Sequence, residues 1–415
     1  TTLFRSAALI TLIAVIAATP YVALQLQSVS LSFEVFATDS LTDIPLAGGG
    51  GTALWVAAGL ALFTIVFGTR NLAADERHHG VVMAIAVEAV VKLTAFVAVG
   101  AYVLWGLADG PADILASIDR MATRPEGEGW MIRPDRWFVL ITLSAAAVIV
   151  LPRMFQVLVV EASDDDRLRQ AGWAFPLYLF AMTFLVLPIA VVGQDLLPQG
   201  SNPDLHVLAL PLSQGQDALA GFVFLGGFSS AMSMVVVSAI ALSTMMANHW
   251  LVPLWLWLRR GGLGAGAQPG AAREDLRALM LNARRLAILC IIGAGWTYLR
   301  LSGGTSALAV MGIVAFSGMA QVLPALIAGL CWRGATRRGA VAGIVAGAAA
   351  LAGCSSEPEI DAALGPPATA DTEDEITFGI WDKAQEPAML EIVDAFHEHF
   401  PGIGVSISTT AFGPY

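Results

Sequence analysis

Two charged side chains, Glu88 and Lys92, stand four residues apart inside the apolar run "VVMAIAVEAVVKLTAFVAVG". A charge in a membrane-length run is costly enough to mark ion or solute chemistry. The same spacing, with the acid on the amino-terminal side, lets the two neutralise each other on one helix face, and they are read as an intramembrane ion pair. His78 and His79 follow Arg77 directly. Two adjacent imidazoles without further ligands do not make a metal site, so they read as solvated loop residues. Cys354 closes "LAGC", after Arg333, Arg337 and Arg338 and a core of Ala, Gly and Val over 339–350. A basic start, a short apolar core and that tetrapeptide form the pattern of a bacterial lipoprotein signal, in which the cysteine thiol is lipidated and becomes a new amino terminus. There is no Walker loop, no HExxH and no nucleophile elbow, so no catalytic residue is assigned and an enzyme is not expected.

The elements that position these groups follow from composition. Of 415 residues, 56% are hydrophobic and 13% charged, and the mean hydropathy is +0.70, too apolar for a soluble domain. Apolar runs near the roughly 18–20 residues that cross a bilayer recur at about 7–27, 52–69, 81–107, 137–152, 173–193, 216–247, 284–301, 305–331 and 337–353. They predict an all-α polytopic membrane protein of about nine spans, with the lipid bilayer as its first partner. Pro20, Pro176, Pro188 and Pro324 interrupt these runs and should kink them. Much of the net charge of −11 lies beyond Cys354, in Glu357, Glu359, Asp361, Asp371, Glu373, Asp374 and Glu375; nucleic acid is not an expected ligand. Cys290, Cys331 and Cys354 are odd in number and widely spaced, which indicates neither a disulfide framework nor a zinc site. An apolar helix follows Thr1 almost at once, predicting that the chain begins inside a larger protein.

Basic residues concentrate in alternate loops: Arg5, Arg70 and Arg77; Arg153, Arg167 and Arg169; Arg259, Arg260, Arg273, Arg277, Arg284 and Arg285; Arg333, Arg337 and Arg338. The positive-inside rule puts these in the cytoplasm. Glu34, Asp39, Asp43, Asp195 and Asp204 fall on the other side, and the mixed 108–136 segment is too long a loop to weigh. An odd number of spans then brings Cys354 out. The expected location is the bacterial cytoplasmic (inner) membrane, with the C-terminal segment extracytoplasmic.

Five stretches carry a more specific likeness: "ALITLIAVIAATPYVALQLQSVSLSFEV", "FGTRNLAADERHHGVVMAIAVEAVVKLTAFVAVG", "LPRMFQVLVVEASDDDRLRQAGWAFPLYLF", "GGFSSAMSMVVVSAIALSTMMANHWLVP" and "AFSGMAQVLPALIAGLCWRGATRRGAVAGIVAG". Over residues 6 to about 350 the chain resembles the sodium:solute symporter family, in the branch where a symporter-like domain is the membrane module of a sensor histidine kinase. The resemblance implies a partial LeuT-type inverted-repeat bundle, with substrate and sodium near the membrane midplane. It implies that the first helix corresponds to the family's fourth span, that the preceding spans are missing and that the chain alone does not transport. Sodium is the one cofactor implied, with Ser230 and Ser233 at ligand positions of the family's second sodium-binding helix, Ser230 where a family member uses a backbone carbonyl and Ser233 at a hydroxyl ligand; Met234 replaces a second hydroxyl there, and a thioether is a poor sodium ligand. On their own, Ser229, Ser230 and Ser233 read equally as small residues that permit close helix packing. The family likeness also leads one to expect a kinase phosphoacceptor and an ATP-binding region after the last span, and neither is present.

Beyond Cys354 the composition turns to Ser, Glu, Pro, Ala and Asp, a flexible tether over 354–374. "EITFGIWD" then alternates like a strand, "EPAMLEIVDAFHEHF" has a helical apolar face, and Pro401-Gly402 ends it before a second strand. This short β-α-β stub over 375–415 resembles the first lobe of an extracellular solute-binding lipoprotein of sugar importers. That resemblance implies ligand contacts near Trp381 and Asp382 and an ABC permease as partner. The domains expected are therefore 1–353, symporter-like; 354–374, linker; and 375–415, a periplasmic-binding-protein-like segment. The function expected is transport or sensing of a small solute (an amino acid, carboxylate or sugar) by an incomplete symporter-like domain joined to a lipoprotein start, as in a chimera of gene fragments. The alternatives are a membrane-anchored solute-binding component of an ABC importer and the sensor region of a histidine kinase without its catalytic part.

Overall fold

Each apolar run folds as helix, because a chain this apolar must satisfy its backbone polar groups internally where no water reaches them. The computed structural model describes residues 2–37, 50–68, 79–122, 134–161, 165–198, 201–259, 271–302, 308–355, 374–380, 390, 393 and 403–409. In chain order the helices are α1 (Thr2–Ala37), α2 (Gly50–Gly68), α3 (His79–Tyr102), α4 (Pro111–Ala122), α5 (Pro134–Val150), α6 (Pro152–Phe155), α7 (Asp165–Phe184), α8 (Val186–Leu196), α9 (His206–Ser213), α10 (Asp217–Met246), α11 (Val252–Arg259), α12 (Ala271–Leu301), α13 (Leu308–Ala320), α14 (Leu323–Cys331) and α15 (Arg337–Ser355). Single π-helical turns extend α3 (Val103–Leu107), α6 (Gln156–Val160) and α10 (Ala247–Leu251).

Among the described residues, seven helical segments are long and apolar enough to cross a membrane: 6–36, 51–68, 82–107, 169–196, 217–258, 277–301 and 308–331. An eighth is the pair 137–150 and 152–160, bent by 50°. The bend falls where Pro152 opens α6, its missing N–H lost at a position that needs no partner. The ninth expected span is helical as α15 but is not among those eight. Of the four prolines expected to kink spans, Pro20 and Pro176 lie within continuous helices, whereas Pro188 and Pro324 sit in the first turns of α8 and α14, just past breaks. The 108–136 segment, expected as loop, contains α4: "PADILASIDRMA" starts with proline and carries Asp113 in its first turn and Arg120 in its last, favourable helix ends.

The chain divides into two compact units, one of 1–114 and 139–349, the other of 115–138 and 350–415. In the first, α1, α10 and α12 pack on one another and form the centre, with α2 and α13 against α1 and with α3 and α9 against α10. Leu26, Leu242, Ile288, Ile292, Met311 and Met319 are fully buried there. Glycines set the closest approaches. A Cβ on Gly295 of α12 would stand 2.6 Å from Val22 Cγ1, and one on Gly318 of α13 would stand 2.8 Å from Ala17 Cβ. Outward-facing Trp55, Leu62, Trp173, Leu177 and Trp257 are exposed, as expected of a lipid-facing surface. The π turn after α10 is tied to α1 by Thr11 Oγ1, 2.8 Å from His249 Nδ1, and by Trp250 Nε1, which donates to Ala8 O at 3.3 Å.

In the second unit, β1 (Asp374–Ile380) and β2 (Ile403–Thr409) pair in parallel, Asp374 opposite Ile403 and Ile380 opposite Thr409. A parallel pair needs a crossover. The helix expected there lies almost wholly outside the described residues, so the β-α-β reading is not complete in the structure.

Candidate functional site

Gly226 brings α3 and α10 together. A Cβ built on it would lie 3.3 Å from Ala95 Cβ and 3.5 Å from Lys92 Cα, so any side chain there would press on α3 and shift it by a few tenths of an ångström. One turn further along α10 is Ser230, and Lys92 Nζ donates to its Oγ at 2.9 Å. The Glu88 carboxylate is within hydrogen-bonding reach of Ser233 and Ser230 and is Coulombically coupled to Lys92, while its Oε2 is buried without a partner. The residues read separately from the sequence, as an ion pair on one helix and as hydroxyls on another, thus form one polar cluster across the α3–α10 contact. Lys92 reaches over to α10 as well as facing its own helix neighbour.

The cluster extends to groups that the sequence reading passed over. Tyr21 of α1 donates to Met234 Sδ at 2.9 Å and is 6% exposed. The Arg153 guanidinium lies 4.4 Å above the Tyr21 ring, a cation–π stack, and Gln25, one helical turn from Tyr21, hydrogen-bonds the phenol. Arg153 was assigned to a cytoplasmic loop; the structure places it half-buried on α6, just past the break at Pro152. The Arg153 charge acts on Lys92, and the Glu88 charge is felt at Tyr178. Tyr21 and Gln25, polar tips spaced i,i+4 in an apolar helix, carried the available signal, as did an arginine following a proline at the end of an apolar run.

The same geometry bears on sodium. An alkali cation needs hard oxygen ligands with free lone pairs. Ser230 Oγ already accepts from the Lys92 ammonium and the Met234 thioether accepts from Tyr21, while the Ser233 hydroxyl, donating at 3.1 Å, engages the Ser230 carbonyl oxygen. A unit positive charge therefore stands at the first of the expected ligands. The residues present do not fit sodium.

Elsewhere, His206 of α9 is 3% exposed, and neither ring nitrogen has a hydrogen-bond partner. Its ring packs against Gly193 of α8, where any Cβ would collide with it. Burial lowers the pKa of this imidazole, partly opposed by the nearby Asp204 charge. A recess lined by Val82, Ile85, Gln156, Val157, Glu161, Val237 and Ile240 opens between α3, the π turn after α6 and α10. Cys354 is the penultimate residue of α15, but its side chain lies outside the described residues, as do Trp381, Asp382 and His78. Cys290 and Cys331 are free and exposed. No group of three or more His, Cys, Asp or Glu side chains able to hold a metal occurs among the described residues.

Comparison with known proteins finds a partial match over 213 residues, 23% identical, to a protein of Bacillus subtilis (strain 168) described as the uncharacterized symporter YodF. The match takes in 51% of this chain and 39% of that protein, so the chain spans well under half the length of the curated relative it matches. No family model and no solved structure matches. With seven membrane-length helices among its described residues, the chain is a multi-pass helical membrane protein, similar over about half its length to a protein named as a symporter.

Proposed function

We propose that this chain contributes the intramembrane solute site of a symporter-type transporter or solute sensor, belonging to the sodium:solute symporter class with a LeuT-type arrangement. The observation that carries the reading is the cluster of Glu88, Lys92, Ser230 and Ser233 across α3 and α10, with Tyr21 and Arg153 beside it. Opposite charges and hydroxyls inside membrane-length helices are retained at a cost and mark solute or ion pathways. A carboxylate, an ammonium and hydroxyls in one place suit a small zwitterion, carboxylate or sugar. The likeness to a protein named as a symporter points the same way.

The test is a thermal-shift panel on the detergent-purified chain with amino acids, carboxylates and sugars. The reading expects one solute class to raise the melting temperature saturably, and Glu88→Gln to abolish that response without loss of the folded peak. A response that survives Glu88→Gln and Ser230→Ala, or no response to any class, contradicts it.

A second reading has its own observation in the parallel β1–β2 pair. We propose that 354–415 is the opening of a lipidated, extracytoplasmic solute-binding segment. Incorporation of labelled palmitate that disappears in Cys354→Ser supports it, and equal labelling of both proteins contradicts it.

A further inference from the structure

Where a sodium-coupled protein of this class is expected to hold a free cation at Ser230 and Ser233, this chain sets a cation of its own on Ser230. We infer that the Lys92 ammonium is a tethered replacement for sodium, and that this membrane centre holds its α3–α10 contact without binding an alkali ion. Three contacts argue for it. Lys92 Nζ donates to Ser230 Oγ at 2.9 Å, so the hydroxyl's lone pair is directed at the ammonium. Met234, at the next expected ligand position, offers sulfur rather than oxygen, and that sulfur accepts from Tyr21. Arg153, stacked on the same Tyr21 ring at 4.4 Å, adds a second fixed positive charge, and its field acts on Lys92.

The negative partner is Glu88 on the same helix. Lys92 is the cation coupled to the Glu88 carboxylate, so with the ammonium in place no unneutralised carboxylate remains for sodium. The far end of α3 does not alter this balance: Gly100, where α3 meets Leu185 beside α8, is eight residues beyond Lys92, about 12 Å along the axis. Like charges a few ångströms apart in a poorly solvated site repel far more strongly than in water, so the ammonium excludes sodium as well as substituting for it.

The inference deepens the proposed function and rests on it for its meaning in transport. Its test reads cation binding alone, so a failed solute panel and a failed cation test are distinguishable. Retention of ²²Na⁺ by the purified chain would be measured at constant ionic strength against N-methylglucamine, alongside melting temperature in the two salts. Wild type is expected to show no saturable retention and no sodium-dependent shift. Lys92→Ala is expected to gain saturable retention, and Lys92→Ala combined with Ser230→Ala to lose it again. Lys92→Gln, which keeps a polar side chain of nearly the same reach, serves if the alanine variant does not fold. Saturable retention by wild type, lost in Ser230→Ala, overturns the inference, as does a folded Lys92 variant that gains nothing. If neither variant folds, the wild-type result decides.

Discussion

Glu88 and Lys92 have different consequences when removed. Neutralising Lys92 alone leaves Glu88 half-buried in the helix contact without its cation, whereas neutralising both leaves a polar but uncharged contact. Losing one member of a fully buried pair costs ~3–5 kcal/mol; at a half-exposed site the expected cost of Lys92→Met is about 1–3 kcal/mol in sodium-free buffer. Glu88→Gln/Lys92→Met should recover most of it, as read from melting temperatures in detergent. His206 supplies a pH dependence of the opposite kind. Its folded-state pKa lies below the unfolded value of about 6.5, so unfolding takes up a proton and stability falls as pH drops through that value towards the folded pKa. Replacing it, as in His206→Leu, should flatten the melting-temperature profile between neutral and mildly acid pH, while wild type loses stability over that range. Glu88, Lys92 and the serines were visible in the sequence because charge and hydroxyl are conspicuous in an apolar run. Their union was not, since it depends on the register of α3 against α10 that Gly226 sets, and nothing in either run alone fixes that register.

Helices and their breaks were legible for the same reason that membrane proteins are simple in outline: apolar length implies helix, and proline or a polar turn implies a break. Exceptions came where the local rule competes with a weaker pattern. Helix α4 hides in a charged segment because its stabilising features are at its ends, and Pro20 lies within a continuous α1 next to Thr19, whose hydroxyl donates to Val15 O. Packing between elements turns on small residues. Gly293 and Gly295 lie two positions apart on α12, yet a Cβ on Gly293 meets nothing within 4 Å and one on Gly295 meets Val22 and the Ala23 backbone. Gly295→Ala should therefore part α1 from α12 at a cost of about 1–3 kcal/mol. Gly293→Ala should be neutral or stabilising by up to ~1 kcal/mol, since alanine is the better helix former. Circular dichroism melts of the two variants side by side decide the point.

At the scale of the whole molecule, composition alone identified a multi-pass membrane protein, and the structure adds a centre of α1, α10 and α12 with polar groups gathered on the α3–α10 side. The lipoprotein-like junction, by contrast, falls mostly on residues whose side chains lie outside the described set. If the proposed topology holds, alkaline phosphatase fused directly after Ser355 should be active in a bacterial host and a fluorescent cytoplasmic reporter at the same place dark. The reverse pair of signals would place the C-terminal segment inside. Everything proposed for the membrane unit rests on α3 and α10 meeting at Gly226, and that meeting can be measured directly. In a background with the three native cysteines replaced, Ala95→Cys and Gly226→Cys would put two sulfurs on Cβ atoms about 3.3 Å apart, near the usual disulfide spacing. Oxidation in native membranes should join them. A folded double variant that stays uncross-linked would contradict the account, because Lys92 could then not reach Ser230.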